Sequence, residues 1–166
     1  MISSIFDDSS MQAVTKYKLT LELLWWAFTG ILILIVLFPI WDEDIPYPFY
    51  GQNSLFIILF VTFSRYIFLL PITFIARLKW IKVAIIAVAT IFIFIMSTYL
   101  GDFRSFMDEQ GLQTLVTHLH VTKQTQLINY IRDEMVFFGV GSIITGILLP
   151  IRMIISLWRV RNKGPV

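Results

Sequence analysis

Residues 55–75 read LFIILFVTFSRYIFLLPITFI, and this stretch decides the fold class of the chain. About 20 consecutive apolar residues in a helix cover a hydrocarbon core of about 30 Å. Continuous apolarity argues against membrane strands, in which polar and apolar residues alternate and which are about half as long. Arg65 interrupts the run near its middle. The stretch therefore predicts a transmembrane helix that holds one buried cation.

Three more stretches have the same character, so the sequence predicts four transmembrane helices in one membrane domain, residues 1–166. The predicted spans are 19–41, 55–75, 81–100 and 136–158, with external loops at 42–54 and 101–135 and tails at 1–18 and 159–166. The composition agrees, because 57% of the residues are hydrophobic and 14% are charged, whereas soluble domains carry about 25% charged residues. The predicted fold class is an all-α integral membrane protein, a four-transmembrane-helix bundle.

Basic residues predict the orientation of this bundle. They cluster before the first span, between the second and third, and after the fourth: Lys16, Lys18, Arg77, Lys79, Lys82, Arg159, Arg161 and Lys163. The positive-inside rule then places both termini in the cytoplasm and the two acidic loops outside. The predicted location is the cell membrane, as a multi-pass protein, which means the inner membrane if the source is bacterial.

The connections predict how the helices pack. Only residues 76–80 separate spans two and three, which predicts an antiparallel hairpin of these two helices. The loop 101–135 is too long to lack structure in so small a protein. Apolar residues at helical spacing predict two short amphipathic helices in it: Leu112, Leu115, Val116 and Leu119, then Leu127, Ile128, Ile131 and Met135. These helices cap the bundle; the alternative is a docking platform for another subunit. Asp133 and Glu134 are predicted to solvate the start of span four.

Arg65 is the main functional candidate, because a charge at the bilayer centre costs from roughly 3 to more than 10 kcal/mol. At a rise of about 1.5 Å per residue, four hydroxyl residues lie at the same membrane depth as Arg65: Thr29, Ser64, Thr90 and Thr145. They predict a mid-membrane polar layer around Arg65. Pro71 supplies a further acceptor, since it frees the carbonyl of Ile67. Arg65 then either cross-links helices or binds an anionic or amphiphilic ligand.

Glu22 and Arg152 form a second candidate pair. Both lie a few residues inside the cytoplasmic face, so they are predicted to form an ion pair between spans one and four. In the alternative, Arg152 reaches the headgroups and leaves Glu22 for protonation or cation binding. The predicted depth of Glu22 is too close to that face for it to neutralise Arg65, which leaves Arg65 without a counter-charge in its own chain. This missing charge favours a ligand or a second subunit.

Small residues in span four predict close helix packing: Gly139, Gly141, Ser142 and Gly146. Such residues let helix backbones approach closely within the bundle, and homodimerisation is the alternative.

Motifs for catalysis and metal binding are absent from the sequence. It has no cysteine, HExxH motif, glycine-rich phosphate loop or nucleophile elbow. His118 and His120 are weak candidates for a zinc site, since their spacing separates them around a helix. The net charge of +2 does not suggest nucleic acid. The sequence thus predicts no cofactor, no metal and no catalytic activity.

Two functions follow as expectations. The first is a non-catalytic subunit or accessory protein of a membrane complex, in contact with membrane lipid and with other subunits or copies of itself. The alternative is a small transporter, channel or receptor that binds an anionic or amphiphilic ligand at the polar layer around Arg65. An intramembrane enzyme acting on lipid ranks last, because convergent catalytic groups are missing.

Overall fold

Four long helices make up the part of the chain that this computed structural model describes, residues 2–73 and 79–163. They are α1 (Ile2–Asp42), α2 (Tyr50–Leu69), α3 (Lys79–Glu109) and α4 (Val121–Lys163). Each contains a stretch long and apolar enough to cross a membrane: Lys16–Asp42, Tyr50–Leu69, Trp80–Glu109 and Val121–Arg159. The prediction of an all-α protein with four helices long and apolar enough to span a membrane is confirmed for the described residues.

The helices alternate in direction, so α1 and α3 run opposite to α2 and α4. We call the end where α1 begins and α4 finishes the termini end, and the opposite end the loop end. α2 and α3 both pack along α4, and α1 packs on α2 and more sparsely on α4. The predicted hairpin of spans two and three is therefore wrong in its packing, because α4 lies between them. Gly139 of α4 shows this, since it faces Phe56 of α2 and Leu100 of α3.

The segment 101–135 differs from its prediction. α3 continues to Glu109 and α4 already begins at Val121, so only residues 110–120 connect them. The first predicted amphipathic helix is a single 3-10 turn, Leu112–Leu115, and the second is the first part of α4. α3 ends at a glycine cap: the amide of Gly111 donates to the Phe106 carbonyl at 3.1 Å, and φ there is +77°. Glycine favours this left-handed conformation.

A hydrophobic core lies at the loop end. At about 1.5 Å per residue, the 43 residues of α4 extend about 64 Å, roughly twice the thickness of a hydrocarbon core. The aromatic ring of Phe49 packs edge-on against Phe103 and Phe106, with centroids 5.3 and 5.1 Å away. Most apolar residues of the two segments that were predicted to be external loops are buried with it: Ile45, Tyr47, Leu112, Leu115, Val116, Leu127, Ile131 and Met135. Their burial within the chain favours the capping role over the docking platform.

α2 ends earlier than its apolar sequence does. The predicted span 55–75 corresponds to a helix over Tyr50–Leu69, followed by the 3-10 turn Leu70–Ile72. Pro71 lacks the amide hydrogen that would continue an α-helix and its ring crowds the preceding turn. The hydroxyl of Thr73 donates to the Leu70 carbonyl at 2.8 Å and closes the turn. The α-helix thus ends inside an apolar stretch of sequence.

Candidate functional site at the termini end

Arg65 forms an ion pair with Glu22 of α1. The Arg65 side chain is 7% exposed and the Glu22 side chain 25%. The guanidinium carbon also lies 5.8 Å from the centre of the Trp25 ring and 5.5 Å from that of Tyr66. Aromatic faces attract cations at such distances. A carboxylate and two rings therefore stabilise the buried cation within the chain itself.

The sequence-based exclusion of Glu22 as a partner of Arg65 is wrong, because the apolar stretches do not share one depth. The Tyr130 hydroxyl of α4 donates to the Val36 carbonyl of α1 at 2.8 Å, and Lys123 Nζ donates to Glu43 Oε1 at 2.6 Å. These bonds place α1 beside the first turns of α4, ahead of the predicted span 136–158. α1 is thus displaced toward the loop end. The displacement carries Glu22 to the level of Arg65.

The predicted polar layer around Arg65 does not form. The hydroxyls of Thr29, Thr90 and Thr145 donate to carbonyls of their own helices at 2.8, 2.9 and 2.9 Å. Thr29 and Thr145 are buried, Ser64 is half-buried, and Thr90 faces outward. A threonine within a helix can bond to the carbonyl of the preceding turn, so a shared depth does not make it a partner of a distant cation.

Arg152 does not pair with Glu22, which corrects the second prediction. Its Nε donates to the Ile67 carbonyl of α2 at 3.0 Å. Ile67 lies four residues before Pro71, so its carbonyl lacks the usual helical donor. The freed acceptor follows from the sequence, but its donor is Arg152 rather than Arg65.

Lys82 completes a group of four charged residues that we call the termini-end cluster: Glu22, Arg65, Lys82 and Arg152. The sequence suggests an exposed basic residue near a short connection, whereas Lys82 is 1% exposed. Its Nζ donates to the Ser156 hydroxyl of α4 at 2.9 Å. Only a knowledge of the α3–α4 register could have indicated the contact with Ser156.

A cavity of about 150 Å³ lies beside the ion pair, between α1 and α2. Its lining is mixed, with charged, aromatic and apolar side chains: Tyr17, Lys18, Leu21, Glu22, Trp25, Arg65 and Leu69. One water occupies about 30 Å³ in the liquid, so the cavity has room for a few waters or one small polar group. Chemically it suits a group that carries negative charge next to an apolar part.

The small residues of α4 lie against neighbouring helices of the same chain. A Cβ at Gly141 would lie 3.0 Å from Phe60 of α2, and one at Gly146 would lie 3.1 Å from Ile93 of α3. Ser142 is fully buried, and its hydroxyl donates to the Gly139 carbonyl at 2.8 Å. These positions therefore serve packing within the bundle.

The histidines do not assemble a metal site with other ligands. Among the side chains that the structure describes, no three from His, Cys, Asp or Glu converge as metal ligands would. His118 Nε2 instead lies 3.1 Å from the Glu43 carbonyl. His118 and Lys123 thus both contact Glu43 and join the end of α1 to the start of α4.

A buried polar pair at the loop end has no counterpart in the sequence-based prediction. Glu134, expected to be solvated, is 8% exposed, whereas the side chain of neighbouring Asp133 is 69% exposed. Asn53 of α2 is fully buried and its amide donates to Glu134 Oε1. Acids at adjacent positions on a helix point in different directions. Helical spacing from Ile131 and Phe138 places position 134, and not 133, on the apolar face, a signal that the sequence-based prediction did not use.

No protein-family model, curated protein or solved structure matches this chain.

Proposed function

We propose that this chain is a non-catalytic subunit or accessory protein of a membrane complex, oriented with both termini in the cytoplasm. The termini-end cluster supports the non-catalytic part. Arg65 is bound by Glu22, Arg152 by a carbonyl and Lys82 by a hydroxyl. Among the described residues, these three cations have partners inside the chain, so each connects two helices. Nothing in this arrangement requires a substrate.

The exposed face of α3 carries the subunit part of the proposal. α3 packs along α4, and its far side presents exposed residues spaced alternately by four and three: Trp80, Ala84, Ala87, Ile91, Phe94, Thr98, Gly101 and Ser105. Such spacing keeps one seam facing a second helix. Most of these residues are small, which lets helix backbones approach closely in lipid. We call this surface the α3 seam, and its partner is a transmembrane helix of another subunit.

Two glycines provide a matched test of the α3 seam. A Cβ added at Gly101 of α3 or at Gly30 of α1 meets no atom within 4 Å, so leucine is sterically tolerated at both positions. Gly101→Leu should lower by several-fold the partner protein recovered with the tagged chain after mild detergent extraction and chemical cross-linking. Gly30→Leu should leave the recovery unchanged. Recovery of the chain alone from native membranes, or loss of the partner only with Gly30→Leu, would contradict the assignment.

A second candidate function is a small transporter, channel or receptor for an anionic or amphiphilic ligand. The observation that favours it is the end of α2 at Leu69, where the chain passes into a 3-10 turn beside the cavity that Glu22 and Arg65 line. Non-helical backbone occurs at membrane depth where it is buried in protein or lines a polar cavity. The ligand would combine a small anionic group, held near Arg65 and Lys18, with an apolar tail along Leu21.

Reconstitution distinguishes the second candidate from the first. Under it, the purified chain in lipid vesicles moves or binds an amphiphilic anion such as a fatty acid, and Arg65→Leu abolishes this activity. Glu22→Leu, which frees the guanidinium, should instead strengthen binding. Equal behaviour of the wild type, both variants and empty vesicles would exclude ligand binding at the ion pair.

A further inference from the structure

Asn53, Glu134 and Tyr47 form a closed polar site at the loop end. Asn53 comes from the first turns of α2, Glu134 from α4, and Tyr47 from the segment between α1 and α2. Their exposed fractions are 0%, 8% and 4%, so bulk water does not surround any of them. The Asn53 amide donates to Glu134 Oε1, and the Tyr47 hydroxyl lies 3.7 Å from the sulfur of Met135.

Two oxygen atoms in this site have no hydrogen-bond partner. They are Oδ1 of Asn53 and Oε2 of Glu134, and both are buried. The Asn53 oxygen is always an acceptor, and the Glu134 oxygen is one when the carboxyl group is ionised. A buried polar atom without a partner costs about 1–3 kcal/mol. The Tyr47 hydroxyl is directed at the Met135 sulfur, so neither oxygen receives a donor, and a carboxylate there would also be a buried charge.

No cation among the described residues neutralises Glu134. The ion pairs at this end join Lys123 to Glu43 and Arg132 to Asp133. The titratable groups within electrostatic range of Glu134 are two tyrosines, Tyr47 from the connecting segment and Tyr130 from α4 itself. Both phenols are neutral at pH 7. The described side chains of α1 and α3 bring no charge to the carboxyl group.

We propose that Glu134 is a proton-binding site, in which the protonated carboxyl group pairs with the Asn53 amide. One proton on Oε2 turns an acceptor into a donor, and Oδ1 of Asn53 is the acceptor that needs one. The amide already donates to Oε1, so the proton completes a two-bond acid–amide pair. A metal ion fits less well, because hard cations take about six or more oxygen ligands and this site offers two free ones.

The proton also links the site to pH. Its removal places a negative charge beside Tyr47 and Oδ1 of Asn53, at the junction of α2, α4 and the connecting segment. In the unfolded chain the same glutamate is ionised at neutral pH. The folded chain then binds one proton more than the unfolded chain, so its stability falls as the pH rises. The acid–amide pair thus stabilises the contact between α2 and α4 most when Glu134 is protonated.

Infrared spectroscopy of the full chain in lipid nanodiscs tests the proposal. At pH 7 the wild type should show the carbonyl band of a protonated carboxylic acid, and Glu134→Gln should lose it. Asp133→Asn is the matched control and should keep the band, since Asp133 is exposed and paired with Arg132 at 3.0 Å. Asn53→Ala should shift the band to higher frequency, because the carbonyl loses its donor. Absence of the band from the wild type at pH 7 would overturn the proposal.

Thermal unfolding gives a second readout. A glutamine amide can make both bonds of the pair, so Glu134→Gln should fold and mimic the protonated state. Its melting temperature should match that of the wild type at acidic pH and exceed it increasingly as the pH rises. A difference independent of pH would contradict a bound proton. Stabilisation of the wild type by Na⁺, if absent in Glu134→Gln, would contradict the proposal and identify a metal cation as the bound species.

Discussion

Removing one partner of the Arg65–Glu22 ion pair is expected to destabilise the protein more than removing both. Glu22→Leu leaves a guanidinium that is 7% exposed, with only Trp25 and Tyr66 against it. Breaking a buried pair costs about 3–5 kcal/mol. The two rings keep part of their attraction for the cation, so we expect a loss of about 2–4 kcal/mol.

The opposite single variant should cost less. Arg65→Leu leaves Glu22, whose side chain is 25% exposed and lines a cavity together with Lys18. A partly hydrated carboxylate near a lysine is less costly, at about 1–2 kcal/mol. The double variant Glu22→Leu/Arg65→Leu buries no charge here and should lie within about 1 kcal/mol of the wild type. The coupling energy is the sum of the two single losses minus the change in the double variant, which gives about 3–6 kcal/mol.

Reversible unfolding in mixed micelles with increasing dodecyl sulfate measures these differences by far-ultraviolet circular dichroism. Arg152 provides the control, because it binds the Ile67 carbonyl and not Glu22. The cycle of Glu22→Leu with Arg152→Leu should give a coupling energy below about 1 kcal/mol. Additive losses in the Arg65 cycle, or a larger loss for Arg65→Leu than for Glu22→Leu, would refute the reasoning.

Three further variants or titrations test the packing and the polar contacts. Gly146→Val should cost about 1–3 kcal/mol by overpacking, since even an added Cβ would lie 3.1 Å from Ile93. The unfolding assay above measures this loss. Arg152→Leu should cost about 1–3 kcal/mol by orphaning a carbonyl, and adding Pro71→Ala should recover part of this by restoring an amide donor. Burial, and then the charge of nearby Glu134, raise the pKa of the Tyr47 phenol above its ordinary value. Stability should therefore fall as the pH rises past about 10, because the unfolded chain releases that proton first, and ultraviolet titration should show the phenol ionising only on unfolding.

The fold class follows from composition, but the helix ends do not. Hydropathy indicates where a helix leaves the membrane, and it cannot indicate where the helix stops. Asp102 and Arg104 follow an apolar stretch and suggest a loop, yet α3 continues through them to Glu109. Its partner α4 begins 15 residues before the predicted span, at Val121 rather than 136. The two extensions are stabilised by the core at the loop end, which is a non-local cause.

The candidate site is predictable only where its chemistry is local. The free carbonyl at Ile67 follows from a proline four residues later, a rule that needs no tertiary structure. The burial of Arg65 follows from its apolar neighbours. The partner of Arg65 does not, because the contacts of Val36 and Glu43 with α4 set the offset of α1. Depth in a membrane is thus a property of packing as well as of sequence.

The two polar sites should behave independently, although α2 contributes to both. Asn53 and Arg65 are 12 residues apart on α2, about 18 Å along its axis. Additivity is usual beyond about 7–10 Å. The α2 side chains between them are largely apolar and several are buried: Phe56, Ile57, Leu59, Val61 and Phe63. Such a layer offers protons no polar path along the described part of α2.

Combining variants of the two sites tests this independence. The stability changes of Glu134→Gln and Glu22→Leu should add to within about 0.5 kcal/mol. Vesicles containing the wild-type chain should show no proton leak above that of empty vesicles. A larger coupling energy would mean that α2 shifts as a rigid rod when either end changes, and its phenylalanines against the glycines of α4 are the contacts through which it would do so. In that case the proton on Glu134 would control the ion pair at the opposite end.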